Sequence, residues 1–128
     1  MFPHREDVLT GLKRFKRLAK QDILASTHTS RPEFWHRQAE ARREAYTELM
    51  AWVEHEGVEA AYQKAVEWYE ALPLSHTSEE VSPEVSGRQQ ALELFFGLLG
   101  MSEEEIAGLR ASDANSVAPG LSAQGASS

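Results

Sequence analysis

The stretch Ser30–Gly57, SRPEFWHRQAEARREAYTELMAWVEHEG, decides the fold because it predicts one long helix with a broad apolar arc. Apolar residues recur in it at spacings of three and four, as one side of an α-helix requires. They are Phe34, Trp35, Ala41, Ala45, Tyr46, Leu49, Trp52 and Val53. An arc this broad is buried only when at least two other helices pack against it, so the stretch predicts a helical bundle.

The same stretch predicts where its helix begins and ends. Ser30 and Glu33 have the spacing of a capping box, in which each side chain accepts a hydrogen bond from the other residue's backbone N–H. Pro32 is tolerated in the first turn because its missing N–H has no helical partner there. Gly57 suits the residue that follows a helix. We therefore expect a helix from Ser30 to Glu56, with Phe34 and Trp35 turned inward.

Four further helices are predicted, one before this stretch and three after it. Residues 4–25 carry a narrow apolar stripe at helical spacing, residues 58–72 carry another, and a serine–proline pair starts a helix over residues 83–99. A second capping box opens a short fifth helix over residues 102–110. The prediction is an all-α, up-and-down bundle of four helices plus a short fifth, in a single domain covering residues 1–110.

The last part of the chain has a different composition. Residues 111–128 are mostly Ala, Ser, Gly and Asn, with Val117 and Leu121 as the sizeable apolar residues. A segment with so little apolar surface cannot offset the entropy lost on ordering, so we expect a disordered C-terminal tail.

Composition limits the class of protein. The chain has 128 residues, 41% of them hydrophobic, which suits one domain with its own core. There is no cysteine, so disulfides, thiolate zinc sites and cysteine nucleophiles are excluded. No apolar run approaches the ~18 residues of a membrane span, and the N-terminus lacks the profile of a signal peptide. We expect a cytoplasmic protein without membrane partners.

Charge is divided unevenly along the chain. Residues 1–43 hold ten basic and five acidic residues, a net +5, whereas residues 44–128 hold three basic and fifteen acidic residues, a net −12. Such asymmetry suggests an anionic partner. The alternative is that the basic helices pair with the acidic ones, within one molecule or across a dimer.

A basic stripe on the first helix is the strongest candidate for contact with nucleic acid or another anionic partner. It consists of Lys13, Arg14, Lys16, Arg17 and Lys20. The segment LLGMSEEEIAGL, Leu98–Leu109, resembles the first part of a bacterial helix-turn-helix, but the basic recognition helix that should follow is missing. The sequence pI near 5.2 also weighs against nucleic acid.

Residues 33–40 contain the spacings Glu-x-x-His and His-x-x-x-Glu, each of which can place two metal ligands on one helix face. Glu33, His36 and Glu40 all fall on the predicted solvent side, whereas di-iron bundles point their ligands into the core. None of the other histidines has a glutamate three residues before it. We therefore expect no metal or cofactor, and no catalytic sequence motif is present.

Two polar residues, Gln38 and Arg42, intrude on the apolar side of the second helix. A buried guanidinium needs a carboxylate or carbonyl partner, because an unpaired buried charge is strongly unfavourable. Glu93 on the fourth helix and the acids of the third are the candidate partners. Gln38 and Arg42 are a candidate buried or interface polar site. The alternative interpretation is that Arg42 has only a structural role, at the edge of the apolar arc with its charged end in water.

These features favour a small, non-enzymatic regulatory or adaptor protein that acts through helix-face contacts with another protein, or with itself as a homodimer. The aromatic residues that would anchor such an interface are Trp35, Trp52, Trp68 and Phe96. Two alternatives remain open. One is a nucleic-acid binder that uses the basic first helix, and the other is an acidic inhibitor that mimics nucleic acid.

Overall fold

The computed structural model describes residues 2–73 and 82–116, which contain five α-helices and no strand. The helices are α1 (Arg5–Ala25), α2 (Pro32–Glu56), α3 (Val58–Ala71), α4 (Pro83–Leu98) and α5 (Glu103–Ser116), with a 3-10 turn, Ser26–His28, between α1 and α2. The all-α helical bundle with a short fifth helix is confirmed. Residues 74–81 and 117–128, which include most of the predicted tail, lie outside the described residues.

Helix α2 is the central element, and α1 and α4 both pack extensively on it while touching each other over little surface. α1 runs antiparallel to α2, since Arg5 donates to the carbonyl of Glu54 at one end and Asp22 pairs with Arg42 at the other. α4 runs parallel to α2, because its first turn meets Arg37 and its later turns meet the middle of α2. A cleft between α1 and α4 follows from this arrangement.

The turn between α2 and α3 is a single residue, Gly57, whose φ of 96° lies in the region that favours glycine. The two helices form a tight hairpin, in which the rings of Trp52 and Trp68 meet edge to face with centroids 5.6 Å apart. α3 then packs antiparallel to α4 through the rings of Tyr62, Tyr69 and Phe96. The up-and-down order of the first four helices is therefore confirmed.

The core forms where these helices meet. Large side chains from α1, α2 and α4 are fully buried there: Leu12, Tyr46, Leu49, Leu92, Phe95 and Phe96. Alanines fill the positions where helices cross, and Ala45, Ala65 and Ala91 are buried completely or almost so. Burial of each large side chain stabilises the fold by about 1.5–3 kcal/mol, and the alanines allow the close packing that this requires.

The predicted capping residue of α2 is wrong by one position. Proline favours the first helical position, and Pro32 occupies it here, which makes Arg31 the capping residue. No side chain caps this end, so the capping box of Ser30 and Glu33 does not form. Trp35 is also not turned inward: it is 41% exposed, because the first turn of α2 extends beyond the start of α4.

The remaining helix ends agree more closely with the sequence. Ser82 caps α4 by accepting from the N–H of Val85, and Ser102 and Glu105 form the second capping box at the start of α5. Gly100 lies just after α4, and its φ of 99° is in the region that favours glycine. α5 continues past the predicted end at residue 110, since residues 111–116 contain no glycine or proline to stop it.

Gly87 of α4 is the point of closest approach to α2. A Cβ atom at this position would lie 2.3 Å from the carbonyl oxygen of Gln38 and 2.8 Å from the Cβ of Ala41. The first of these contacts is with backbone, which cannot move aside without displacing the helix. Only glycine lets the two helices come this close.

We expect Gly87→Ala to destabilise the protein by about 1–3 kcal/mol, because the added methyl group forces α4 away from α2. Gly97→Ala in the same helix is the matched control, since nothing lies within 4 Å of its Cβ position. The control should leave stability unchanged or raise it by about 0.4–1 kcal/mol. Urea unfolding followed by circular dichroism measures both. Equal effects of the two variants would contradict the close approach.

Candidate functional site

A buried polar cluster lies where α1, α2 and α4 meet, and Arg42 is its centre. Only 8% of Arg42 is exposed. Its Nε donates to Gln38 Oε1 at 3.0 Å, one turn earlier in α2, and its Nη2 contacts Asp22 Oδ2 of α1 at 2.5 Å. The predicted partners, Glu93 and the acids of the third helix, are wrong: the carboxylate that neutralises Arg42 comes from α1.

Gln38 extends the cluster to α4. It is 3% exposed, and its Nε2 donates to Gln90 Oε1 at 2.7 Å, with a weaker contact to Ser86 Oγ at 3.5 Å. The amide therefore accepts from Arg42 and donates to α4, which fixes its orientation. No buried side-chain nitrogen or oxygen of the described residues lacks a hydrogen-bond partner. Gln38 and Arg42 are thus both buried, in a network that spans three helices.

Glu93 belongs to a second polar contact, between α3 and α4. Its Oε2 accepts from the hydroxyl of Tyr69 at 2.8 Å and from Nε2 of Gln89 at 3.1 Å. These donors hold the carboxylate in place at the end of α3. Glu93 is half-buried and faces the cleft between α1 and α4 rather than Arg42.

Tyr46 lies beside the Arg42 cluster and is almost fully buried, with its ring 5.6 Å from that of Phe15. Burial, which disfavours the charged phenolate, raises the pKa of Tyr46 from 10.0 to about 12. The nearby charges act in opposite directions, since Arg42 lowers this pKa and Asp22 raises it. The phenol is therefore neutral at any ordinary pH, and its ring is part of the hydrophobic core.

A small polar pocket opens onto the Arg42 cluster. Its volume is about 230 Å³, and it lies between the end of α1, the 3-10 turn, the start of α2 and the side of α4. Its lining residues are Asp22, Ala25, Ser26, Thr29, Trp35, Gln38, Arg42 and Gln90. The exposed ring of Trp35 thus borders a pocket that also contains the pair of buried Arg42 and exposed Asp22.

A larger apolar groove continues from this pocket along the cleft, since Gln90 borders both. The groove has a volume of about 810 Å³. Its apolar lining comes from α1, from α4 and from the segment around α5: Phe15, Leu94, Gly97, Leu98, Met101, Ile106 and Ala107. Tyr69, Glu93 and Glu103 add polar groups. Leu94 is 38% exposed, so part of the apolar surface of α4 is uncovered in the monomer.

The basic stripe of α1 lies on the surface, away from the core. Four of its members are exposed, namely Lys13, Arg14, Arg17 and Lys20, and Lys16 is half-buried. No ion pair among the described residues involves any of the five. Within this part of the chain, the basic stripe is therefore not neutralised by the acidic helices.

The predicted aromatic anchors occupy three different environments. Phe96 is fully buried between the rings of Tyr62 and Tyr69, so it serves the core and offers no surface to a partner. Trp52 and Trp68 are half-buried and cover each other at the α2–α3 hairpin. Trp35 is exposed and borders the polar pocket.

The Glu33–His36–Glu40 segment lies on the outer side of α2. His36 Nε2 is 3.4 Å from Glu40 Oε2, and about half of each side chain is exposed. Across residues 2–73 and 82–116, no group of three or more histidine or acidic residues has the geometry to hold a metal ion. The contact between His36 and Glu40 is an i,i+4 surface pair, of the kind that contributes about 0.2–0.5 kcal/mol.

Sequence reasoning missed Asp22, Gln90 and the apolar groove. Asp22 lies two helical turns after Phe15 on the same side of α1, so the stripe itself contained a signal. It is also the only acidic residue of α1 beyond the first turn. Gln90 and the groove gave no comparable signal, because both depend on how α1 and α4 are placed around α2.

Comparison with protein-family models, with curated protein sequences and with solved structures found no match to this chain. None of the described helices is long and apolar enough to cross a membrane. Function must therefore be argued from the cleft and its residues.

We expect Asp22→Ala to destabilise the protein more than Arg42→Met does. The first change leaves a buried guanidinium without its counter-charge, at a cost of about 2–3 kcal/mol, less than for a fully buried pair because the Asp22 side chain is 55% exposed. Arg42→Met keeps the apolar stem and leaves a carboxylate that water can reach, so its cost is mainly that of leaving Gln38 Oε1 without its donor, about 1–2 kcal/mol.

Urea unfolding provides the measurement, and Glu48→Ala at an exposed position is the control, with a change within about 0.5 kcal/mol. A larger loss from Arg42→Met than from Asp22→Ala would show that the hydrogen bond from Arg42 to Gln38 stabilises the fold more than the ion pair does.

Proposed function

We propose that the protein is a non-enzymatic adaptor that binds an amphipathic helix of a partner protein in the groove between α1, α4 and α5. The observation that carries this proposal is the apolar lining of that groove together with the 38% exposure of Leu94 beside it. Grooves of this kind accept the apolar face of a helix, with anchors at i, i+3 or i+4, and i+7. The apolar surface left uncovered on α4 is then buried by the partner.

Acidic residues at the edge of the groove indicate which charge the partner helix should carry. Glu93 and Glu103 border it, and Glu104 is exposed in the next position of α5. The Glu93 carboxylate is already held by Tyr69 and Gln89, so no side-chain freedom is lost there on binding. Acidic groups at the edge of an apolar groove favour a partner with Lys or Arg beside its apolar residues.

The test uses a synthetic helical peptide with leucines along one face and lysines beside them, labelled for fluorescence anisotropy. We expect it to bind the wild-type chain with a Kd in the micromolar range, about −8 kcal/mol. The same peptide with glutamates in place of the lysines should bind at least about tenfold more weakly, a difference of about 1.4 kcal/mol.

Two matched variants separate apolar docking from general charge attraction. Leu94→Glu places a charge in the groove, and Leu24→Glu makes the same change at a position that is 71% exposed and outside the groove lining. Both add negative charge, so simple attraction of the lysine peptide would strengthen in both. The proposal requires binding to fall in Leu94→Glu and to hold in Leu24→Glu. Equal behaviour of the two variants would reject it.

A second copy of the chain is the other occupant that this test addresses. Light scattering of the wild-type chain and of Leu94→Glu measures self-association directly. A dimer that Leu94→Glu dissociates and Leu24→Glu leaves intact would assign the groove to a homodimer contact and overturn the partner-helix proposal.

A second candidate function is electrostatic binding of nucleic acid through the basic stripe of α1. It is supported by the exposure of Lys13, Arg14, Arg17 and Lys20, and by the lack of ion pairs to them among the described residues. A basic helix face of this kind contacts phosphates without reading sequence. The overall charge of −7 opposes it, so binding would be weak and sensitive to salt.

Retention on DNA–cellulose, eluted with a salt gradient, tests this second function. We expect Arg17→Glu to elute at lower salt than the wild type, because it removes a phosphate contact and reduces the salt slope by about 0.9. Arg43→Glu is the control, since Arg43 is exposed but lies outside the stripe. No retention of the wild-type chain at low salt would eliminate nucleic acid as a partner.

A further inference from the structure

The small pocket beside Arg42 has features that the partner-helix proposal does not use. It combines a buried guanidinium, a half-exposed carboxylate and an exposed indole within about 230 Å³. That volume corresponds to roughly eight water molecules, which is enough for a small organic molecule. The three groups come from α1 and α2, and Gln90 of α4 forms the remaining wall.

The guanidinium of Arg42 has more N–H donors than its described partners use. An arginine carries five N–H donors in a fixed fork, and here Nε is used by Gln38 and Nη2 by Asp22. Nη1 has no hydrogen-bond partner among the described residues. Arg42 lines the pocket, and 10% of its side chain is exposed. The donors of Nη1 are therefore available to a ligand that reaches the guanidinium.

Asp22 offers the complementary group. Its Oδ2 is held by Arg42, whereas Oδ1 makes no hydrogen bond among the described residues, and 55% of the side chain is exposed. The pair has no net charge. A ligand with one charge is attracted by one member and repelled by the other, so it gains little. A ligand that carries both signs can place each one opposite its complement.

We propose that this pocket binds a small zwitterion of the α-amino acid class, with its carboxylate on Arg42, its ammonium on Asp22 and its side chain against Trp35. Trp35 lines the pocket and is 41% exposed overall, so its ring is accessible to an apolar or cationic side chain. This pocket shares Gln90 with the apolar groove, but the proposal does not depend on a partner helix binding in the groove.

The site is largely preorganised. Gln38 is fixed between Arg42 and Gln90. The hydroxyl of Ser26 donates to the carbonyl of Ile23 in α1 at 2.7 Å, and that of Thr29 donates to the carbonyl of Ser26 at 2.8 Å. These bonds hold the walls of the pocket before a ligand arrives. Binding therefore does not have to order the arginine or the turn, which removes one of the costs of association.

Nuclear magnetic resonance titration of the full chain tests the proposal, with the Trp35 indole N–H and the Arg42 Nε–H as reporters. The probes are L-leucine and L-arginine, with acetate and methylammonium as single-charge controls. We expect both amino acids to shift the two reporters saturably, with a Kd of about 1 mM or below. Acetate and methylammonium should bind at least about tenfold more weakly. No saturable shift, or equal binding of acetate and leucine, would overturn the proposal.

Variants distinguish a ligand site from a purely structural ion pair. Trp35→Ala should weaken leucine binding at least about fivefold without loss of folding, whereas the control His36→Ala, outside the pocket, should not. Asp22→Asn should reverse the selectivity, so that acetate binds more tightly than it does to the wild type and leucine more weakly. If Asp22→Asn does not fold, the Trp35→Ala result decides, and unchanged leucine affinity there would reject the site.

Discussion

The close approach of α4 to α2 at Gly87 is the constraint on which the other features depend. With the backbone of Gln38 directly opposite, α4 lies near enough to α2 for Leu92, Phe95 and Phe96 to complete the core. The same approach brings Gln90 within reach of Gln38. α1 packs on a different side of α2, and the cleft between α1 and α4 is the space that two helices leave when both pack closely on a third. The pocket and the groove therefore form because α1 and α4 pack on different sides of α2.

The Arg42–Asp22 pair fixes the position of α1 along α2. A slide of α1 by one turn along α2 would keep most apolar contacts, because the stripe of α1 repeats at helical spacing. It would separate Asp22 from Arg42, however, and leave a buried guanidinium without its counter-charge. We interpret the pair as a means of selecting one alignment of α1 and α2 over its neighbours, which is the best-attested use of buried polar groups in helical assemblies.

Local signals predicted most of the fold. The glycine after α2, the serine caps of α4 and α5, and the apolar periodicity of each helix all act within a few residues, and each matches the structure. Two local signals failed, the capping box of Ser30 and Glu33 and the predicted end of α5. The other failures concern relations between helices. The solvent-facing Trp35 and the buried Phe96 differ because α4 begins beside Arg37 and leaves the first turn of α2 uncovered. Likewise, periodicity placed Arg42 on the inner side of α2 but could not indicate which helix supplies its carboxylate.

The one-residue turn at Gly57 has a consequence for the order of folding. It joins two helices whose contacts are close in sequence, so the α2–α3 hairpin closes with little loss of chain entropy. The side-chain hydrogen bonds between α2 and α4, by contrast, join residues 47 to 52 positions apart. Contacts so distant in sequence form more slowly than local ones. We therefore expect the hairpin to form before α4 docks on it, and the cleft to be completed late in folding.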